Sequence, residues 1–127
     1  MEQYLIDTNV ASDYFSASLP KGSLNFLDSV MDAVPNLSVI SQIELLCWKT
    51  DKHTEQGIQA FLNDSNIFDI TPEVIRLCVA IRKSRKIKTP DAIIAATALA
   101  HNFILITGNT KDFSNIKGLK ILDPKTT

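Results

Sequence analysis

Three carboxylates stand where apolar segments give way to polar ones. Asp7 follows Tyr4-Leu5-Ile6, Glu44 closes Ser41-Gln42-Ile43-Glu44 beyond the run Leu37 to Ile40, and Asp91 lies in Thr89-Pro90-Asp91 at the head of a strongly apolar block. An acid at the end of an apolar strand is poorly suited to packing and well suited to holding a metal. Acidic oxygen donors without neighbouring histidine or cysteine select a hard cation, so Mg²⁺ or Mn²⁺ is expected and zinc is not. Mg²⁺ keeps several waters and takes one or two protein carboxylates together with substrate phosphate oxygens, which makes phosphoryl chemistry its natural use. A fourth acid, Asp112, follows in Thr107-Gly108-Asn109-Thr110-Lys111-Asp112-Phe113, where Thr107 and Asn109 offer polar groups to a water or a phosphate oxygen. The plainer reading of that stretch is a Gly-Asn turn with a solvated Lys-Asp pair.

Each of the three main acids also has a structural explanation. Asp7 suits a helix N-cap, accepting from amides near Asn9 and Val10. Ser41 and Glu44 have the Ser-x-x-Glu spacing of a capping box. Thr89 reads as an N-cap, Pro90 as the first helical residue, and Asp91 as a first-turn acid that complements the helix dipole. What these explanations leave out is the joint placement. If the apolar runs form one parallel sheet, all three acids lie over its carboxyl edge, where open α/β sheets bind ligands.

The elements needed for that sheet are legible. Short strands are expected at Gln3 to Ile6, Leu37 to Ile40, Ile67 to Ile70 and Phe103 to Ile106, with a last short one at Ile121-Leu122. Between them, helical spacing marks Asn9 to Phe15, Ser41 to Trp48, Gln56 to Asn63, Pro72 to Arg85 and Pro90 to His101. Leu24, Leu27, Val30, Met31 and Val34 mark a further amphipathic helix that Pro35-Asn36 stops, with Phe26 and Met31 on its outer side. This alternation predicts an α/β fold, a three-layer sandwich around a central parallel sheet of four to five short strands, as a single domain over residues 1–127.

Composition narrows the rest. A net charge of -1 excludes binding of nucleic acid by bulk positive charge alone, although Arg82, Lys83, Arg85, Lys86 and Lys88 form a local basic run before Asp91. Those cations equally suit a solvated helix end. No apolar stretch approaches the roughly 20 residues of a membrane span, and no basic segment with an apolar signal core opens the chain, so a cytoplasmic location is expected. Cys47 and Cys78 lack a CxxC partner and read as packed free thiols; His53 and His101 lack ligand spacing.

Leu5-Ile6-Asp7-Thr8-Asn9-Val10, Ser41-Gln42-Ile43-Glu44-Leu45, Pro90-Asp91-Ala92-Ile93-Ile94-Ala95-Ala96-Thr97-Ala98 and Leu105-Ile106-Thr107-Gly108-Asn109-Thr110-Lys111-Asp112-Phe113 together resemble the PIN-domain ribonucleases, especially the VapC-like toxins of type II toxin–antitoxin systems. The resemblance implies a Mg²⁺- or Mn²⁺-dependent endoribonuclease with Asp7, Glu44 and Asp91 as its acidic core and Asp112 as the fourth acid. It further implies a cognate antitoxin whose C-terminal segment fills the active-site groove, and a homodimeric toxin. In this reading Thr8, Asn9, Thr107 and Asn109 support the site, and Arg82, Lys83, Arg85, Lys86 and Lys88 hold flanking RNA phosphates. One departure stands out: many relatives carry an acid where this chain has Asn109. The alternative is a catalytically silent PIN-like module that binds RNA or protein.

Overall fold

Five of the short apolar runs pair into one parallel sheet in the computed structural model, which describes residues 2–126. In chain order the elements are β1 (Tyr4–Ile6), α1 (Thr8–Phe15), α2 (Lys21–Asp32), β2 (Asn36–Ser38), α3 (Val39–Cys47), α4 (Lys52–Asn63) and β3 (Asn66–Phe68). There follow α5 (Pro72–Ser84), α6 (Thr89–His101), β4 (Ile104–Ile106), α7 (Thr110–Phe113), β5 (Ile121–Leu122) and a 3₁₀ turn at Pro124–Thr126. The strand order is β3-β2-β1-β4-β5, all parallel, with Leu5 opposite both Asn36 and Leu105. Strand order therefore reverses at β1, and the carboxyl ends of β1 and β4 flank the switch point where doubly wound sheets bind ligands.

Side-chain alternation along the strands builds a core on each face. Leu5 and Leu105 point to one side, where Val74, Cys78 and Ile81 of α5 and the alanine-rich α6 cover them. Ile6, Leu37 and Ile106 belong to the opposite core with Val10, Leu27, Leu45, Ile58 and Leu62 from α1 to α4. Alanines in α6 let that helix pack closely; its apolar residues nearly encircle it, as befits a helix buried between α5 and the sheet. The three-layer expectation holds.

Several boundaries differ from those read in the sequence. The run Leu37 to Ile40 is not a four-residue strand: pairing ends at Ser38, whose side chain accepts from the Ile40 amide at 3.1 Å and starts α3 two residues early. A short apolar run carries no period that separates a strand from a buried helix start. Ser41 and Glu44 consequently form no capping box, since both lie inside α3. Replacing the fully buried Ser38 by Ala is expected to cost about 1 kcal/mol, seen as a lower midpoint in urea unfolding.

Likewise Thr89 is the first helical residue of α6, and the cap position falls on Lys88, which makes no side-chain cap bond. α2 ends at Asp32, leaving Val34 outside it and 61% exposed. Asp51 caps α4 and moves its start to Lys52, and β3 ends at Phe68 with Ile70 exposed. Phe26 packs edge-on against Tyr4 and Met31 lies against the same core, so neither is a free outer residue. Of the two free cysteines, Cys78 is buried but Cys47 is exposed, because it ends α3 on its outer side. His101 lies beside the Phe68 and Phe103 rings, a packing position.

Candidate active site

The end of β1 delivers Asp7 to the switch point, and the end of β4 delivers Thr107 beside it. The Asp7 amide donates to the Ile106 carbonyl at 3.0 Å, so the two strand ends are locked in register where the side chains emerge. Asp7 does cap α1, but through one Oδ1 bond from the Thr8 amide at 2.8 Å, not through Asn9 and Val10. Its other oxygen accepts from the Thr107 hydroxyl, also at 2.8 Å. The carboxyl is only 5% exposed.

Burial is the largest influence on Asp7 and lifts its pKa from 3.8 to about 6. The Thr107 hydroxyl and the Thr8 amide oppose the rise, while the charges of Asp91 and Glu44 add to it. Asp91, in the first turn of α6, is also held above the ordinary carboxylate range, first by burial and then by Glu44 and Asp112, with Lys88 pulling the other way. The four acids singled out in the sequence thus act on one another through space. Among the described residues no cation opposes the rise at Asp7, and at Asp91 the charge of Lys88 does not outweigh it.

The supporting shell is specific. Thr8 donates its hydroxyl hydrogen to Glu44 Oε1 at 2.7 Å; its oxygen lies 2.8 Å from the Ser41 hydroxyl. A threonine has one hydroxyl hydrogen, so Ser41 must be the donor in the second contact. Ser41 is fully buried, three residues before Glu44 on the same helix face, a spacing that marks it as a neighbour even though the capping-box reading misassigned its role. Thr107 Oγ accepts from the Asn109 amide at 3.0 Å, and Asn109 Nδ2 donates to Asp112 Oδ2 at 2.9 Å. A continuous chain of bonds therefore links Asp7 through Thr107 and Asn109 to Asp112.

Asn9 lies exposed on the first turn of α1. With Thr8, Ser12, Asp13, Glu44 and Trp48 it lines a groove of about 560 Å³ between α1 and α3. The basic run is less uniform than its sequence suggests. Lys83, Lys86 and Lys88 are exposed, but Arg82 Nε donates to the Ile87 carbonyl at 3.2 Å and Arg85 bonds backbone near Asp112.

The donor set fits a hard divalent cation. Among the described residues, however, no three acidic, histidine or cysteine side chains lie close enough to ligate one ion directly. A hard cation that keeps its own waters would meet part of such a carboxylate set through them.

Comparison with known proteins places the whole fold. The PIN domain family model matches residues 4–119. The chain belongs to the PIN-domain family. This PIN domain is 32% identical over 126 residues to Ribonuclease VapC1 of Methanocaldococcus jannaschii, covering 94% of this chain and 86% of that one. A stretch of 36 residues is 53% identical to Ribonuclease VapC1 of Rickettsia felis, spanning 28% of this chain and 27% of that protein. In structure it is similar to a chain of a toxin–antitoxin complex from Klebsiella pneumoniae, with a TM-score of 0.76, 35% identity, and coverage of 96% of this chain and 98% of that one.

Within the PIN domain, Thr107→Val is expected to remove a bond that lowers the Asp7 pKa, pushing that pKa higher and leaving the Asn109 amide unpaired. Mn²⁺ affinity should fall about tenfold, with its pH dependence displaced upward, as read by calorimetric titration.

Proposed function

We propose that this PIN domain is a Mg²⁺- or Mn²⁺-dependent endoribonuclease acting in the cytoplasm as the toxin of a toxin–antitoxin pair. One observation carries the reading: buried Asp7 stands at the sheet's switch point, and its pKa, like that of Asp91, is raised first by burial and then by neighbouring carboxylates, Asp91 and Glu44 for Asp7 and Glu44 and Asp112 for Asp91. Helix capping does not account for the set. Ser38 caps the helix that bears Glu44, and the Thr8 hydroxyl binds the Glu44 carboxylate from across the cleft. A module whose acids served only as helix caps would not need that Thr8–Glu44 bond.

Asp7 and Asp91 are the acids proposed to hold the principal cation, with Glu44 and Asp112 orienting its waters. When bound, such a cation polarises the scissile phosphate and lowers the pKa of an attacking water. The chain's own residues prepare for it. Thr107 and Thr8 fix the two Asp7 oxygens, and Thr8 turns Glu44 toward the same cleft. Burial keeps competing water away from Asp7, where electrostatic attraction is strongest. The exposed Lys83, Lys86 and Lys88 would hold flanking phosphates as point charges, a contact that positions RNA without reading sequence. Exposed Ile43 and Leu46 on α3, and Ile75 and Val79 on α5, offer apolar surface that an antitoxin or a second copy would cover.

Cleavage-site mapping on total RNA, in Mn²⁺ and in chelator, tests the activity. Discrete new ends bearing 5′-phosphate are expected only with metal; identical patterns in both conditions would remove the metal-dependent reading.

A further inference from the structure

Arg85 stands in the basic run before Asp91, yet its guanidinium is spent on backbone. Nη1 donates to the Ser114 carbonyl at 2.6 Å and reaches the Asp112 carbonyl at 3.4 Å, while Nη2 donates to the Asn115 carbonyl at 2.7 Å. Nε is buried with no hydrogen-bond partner, so the side chain is packed into place and not merely resting on the surface. All three acceptors lie at or just beyond the end of α7, the single turn that carries Asp112. The last carbonyls of a helix have no partner within it. Asn115 adopts a left-handed conformation, φ 67°, as the chain turns there.

A single helical turn has no stability of its own, so tertiary ties must fix it. α7 has one at each end. Asn109 caps its start and is joined through Thr107 to Asp7; Arg85 fastens its finish to the end of α5. We infer that Arg85 is a positioning residue for Asp112 and not a phosphate contact, and that it sets the site's affinity for its cation through the backbone of α7. The inference rests on the proposed membership of Asp112 in the acidic site. A lysine cannot replace it: three carbonyls in this arrangement need the planar, multiply donating fork, which an ammonium on a flexible stem does not supply. A phosphate contact, by contrast, tolerates lysine as a point charge.

The test compares wild type with Arg85→Lys, Arg85→Gln, Asp112→Asn and the double variant Arg85→Lys/Asp112→Asn. Mn²⁺ titration by calorimetry and steady-state cleavage at several salt concentrations are measured on each. Arg85→Lys is expected to raise the Mn²⁺ dissociation constant about tenfold and to lower kcat, with the salt dependence of KM unchanged. The double variant should bind Mn²⁺ no more weakly than Asp112→Asn alone, because both substitutions act through one side chain. Wild-type Mn²⁺ affinity in Arg85→Lys would overturn the inference, as would additive losses in the double variant. So would a salt slope reduced by about one in Arg85→Gln, the mark of a lost phosphate contact. If Arg85→Gln fails to fold, Arg85→Lys and the double variant still decide. Unchanged Mn²⁺ affinity in Asp112→Asn would instead remove Asp112 from the site, a distinguishable failure of the underlying reading.

Discussion

Asp7→Asn is expected to abolish RNA cleavage while leaving the chain folded and, in chelator at neutral pH, harder to unfold. The carboxyl is 5% exposed and its pKa stands at about 6 against an ordinary 3.8, so its charged form is disfavoured in the folded state. A displacement of about two units corresponds to about 3 kcal/mol, to order of magnitude, borne by the folded protein whenever Asp7 is ionised. Asparagine has the same shape without the charge. It still accepts from the Thr8 amide, and its NH₂ group meets the Thr107 hydroxyl, which can turn to accept. Activity should fall roughly a hundred- to a thousandfold, the scale seen when electrostatic stabilisation of developing charge, here supplied by the cation Asp7 would hold, is lost. Cleavage assays and thermal melts on the same preparation check both halves. A variant that cuts RNA normally, or one that melts far below wild type in chelator, contradicts the assignment.

The second large effect is on the pH dependence of stability. Asp7 keeps its proton to higher pH in the folded protein than in the unfolded chain. Its contribution is therefore fully present below about pH 3.8 and is lost as pH rises through about 6. Asp91 is shifted in the same direction and adds to the trend. Exposed acids such as Asp51, whose pKa is lowered by its bonds to Thr54, act oppositely, so the informative quantity is the difference between wild type and Asp7→Asn. That difference should move against the wild type between pH 4 and 7 in chelator. Mn²⁺ opposes it, because a cation favours the ionised acids. At a hundredfold excess over the dissociation constant, the stabilisation is about 2.7 kcal/mol, or several degrees in Tm. Melting curves across pH, with and without Mn²⁺, read both terms; a difference curve flat in pH would mean that Asp7 is not desolvated.

Much of this was visible in the residues, for physical reasons that also explain the misses. The strands themselves and the placing of Asp7 and Asp91 at element boundaries follow from apolar runs bounded by polar punctuation, whereas the order of the strands in the sheet does not. Thr8, Thr107 and Asn109 bond to the acids themselves, whereas the sequence suggested that Thr107 and Asn109 meet a water or a phosphate oxygen. The start of α3 was not legible, since Ser38 and Ser41 are equally good caps in sequence and only strand pairing decides between them. The bonds of Arg85 to the Ser114 and Asn115 carbonyls were hidden for a related reason. An arginine bound to carbonyls across a fold looks, in sequence, the same as one bathed in water. Cys47 went astray because helical spacing over a single short helix does not say which face the neighbouring layer will cover.

The strand order has a consequence for how the protein comes into being. β1 lies at the centre of the sheet, but its neighbour β4 is made only after roughly a hundred further residues, and the Asp7–Thr107 bond spans a separation of 100. Such long-range closure makes for slow folding. At about 5 to 20 residues per second, synthesis takes many seconds to cover that gap. During that interval a growing chain carries Asp7 and Glu44 but has neither the strand that locks Asp7 in register nor the hydroxyl that orients it. The carboxyl at the end of β1 is thus oriented only after the Thr107 hydroxyl has been made and β4 has paired with β1.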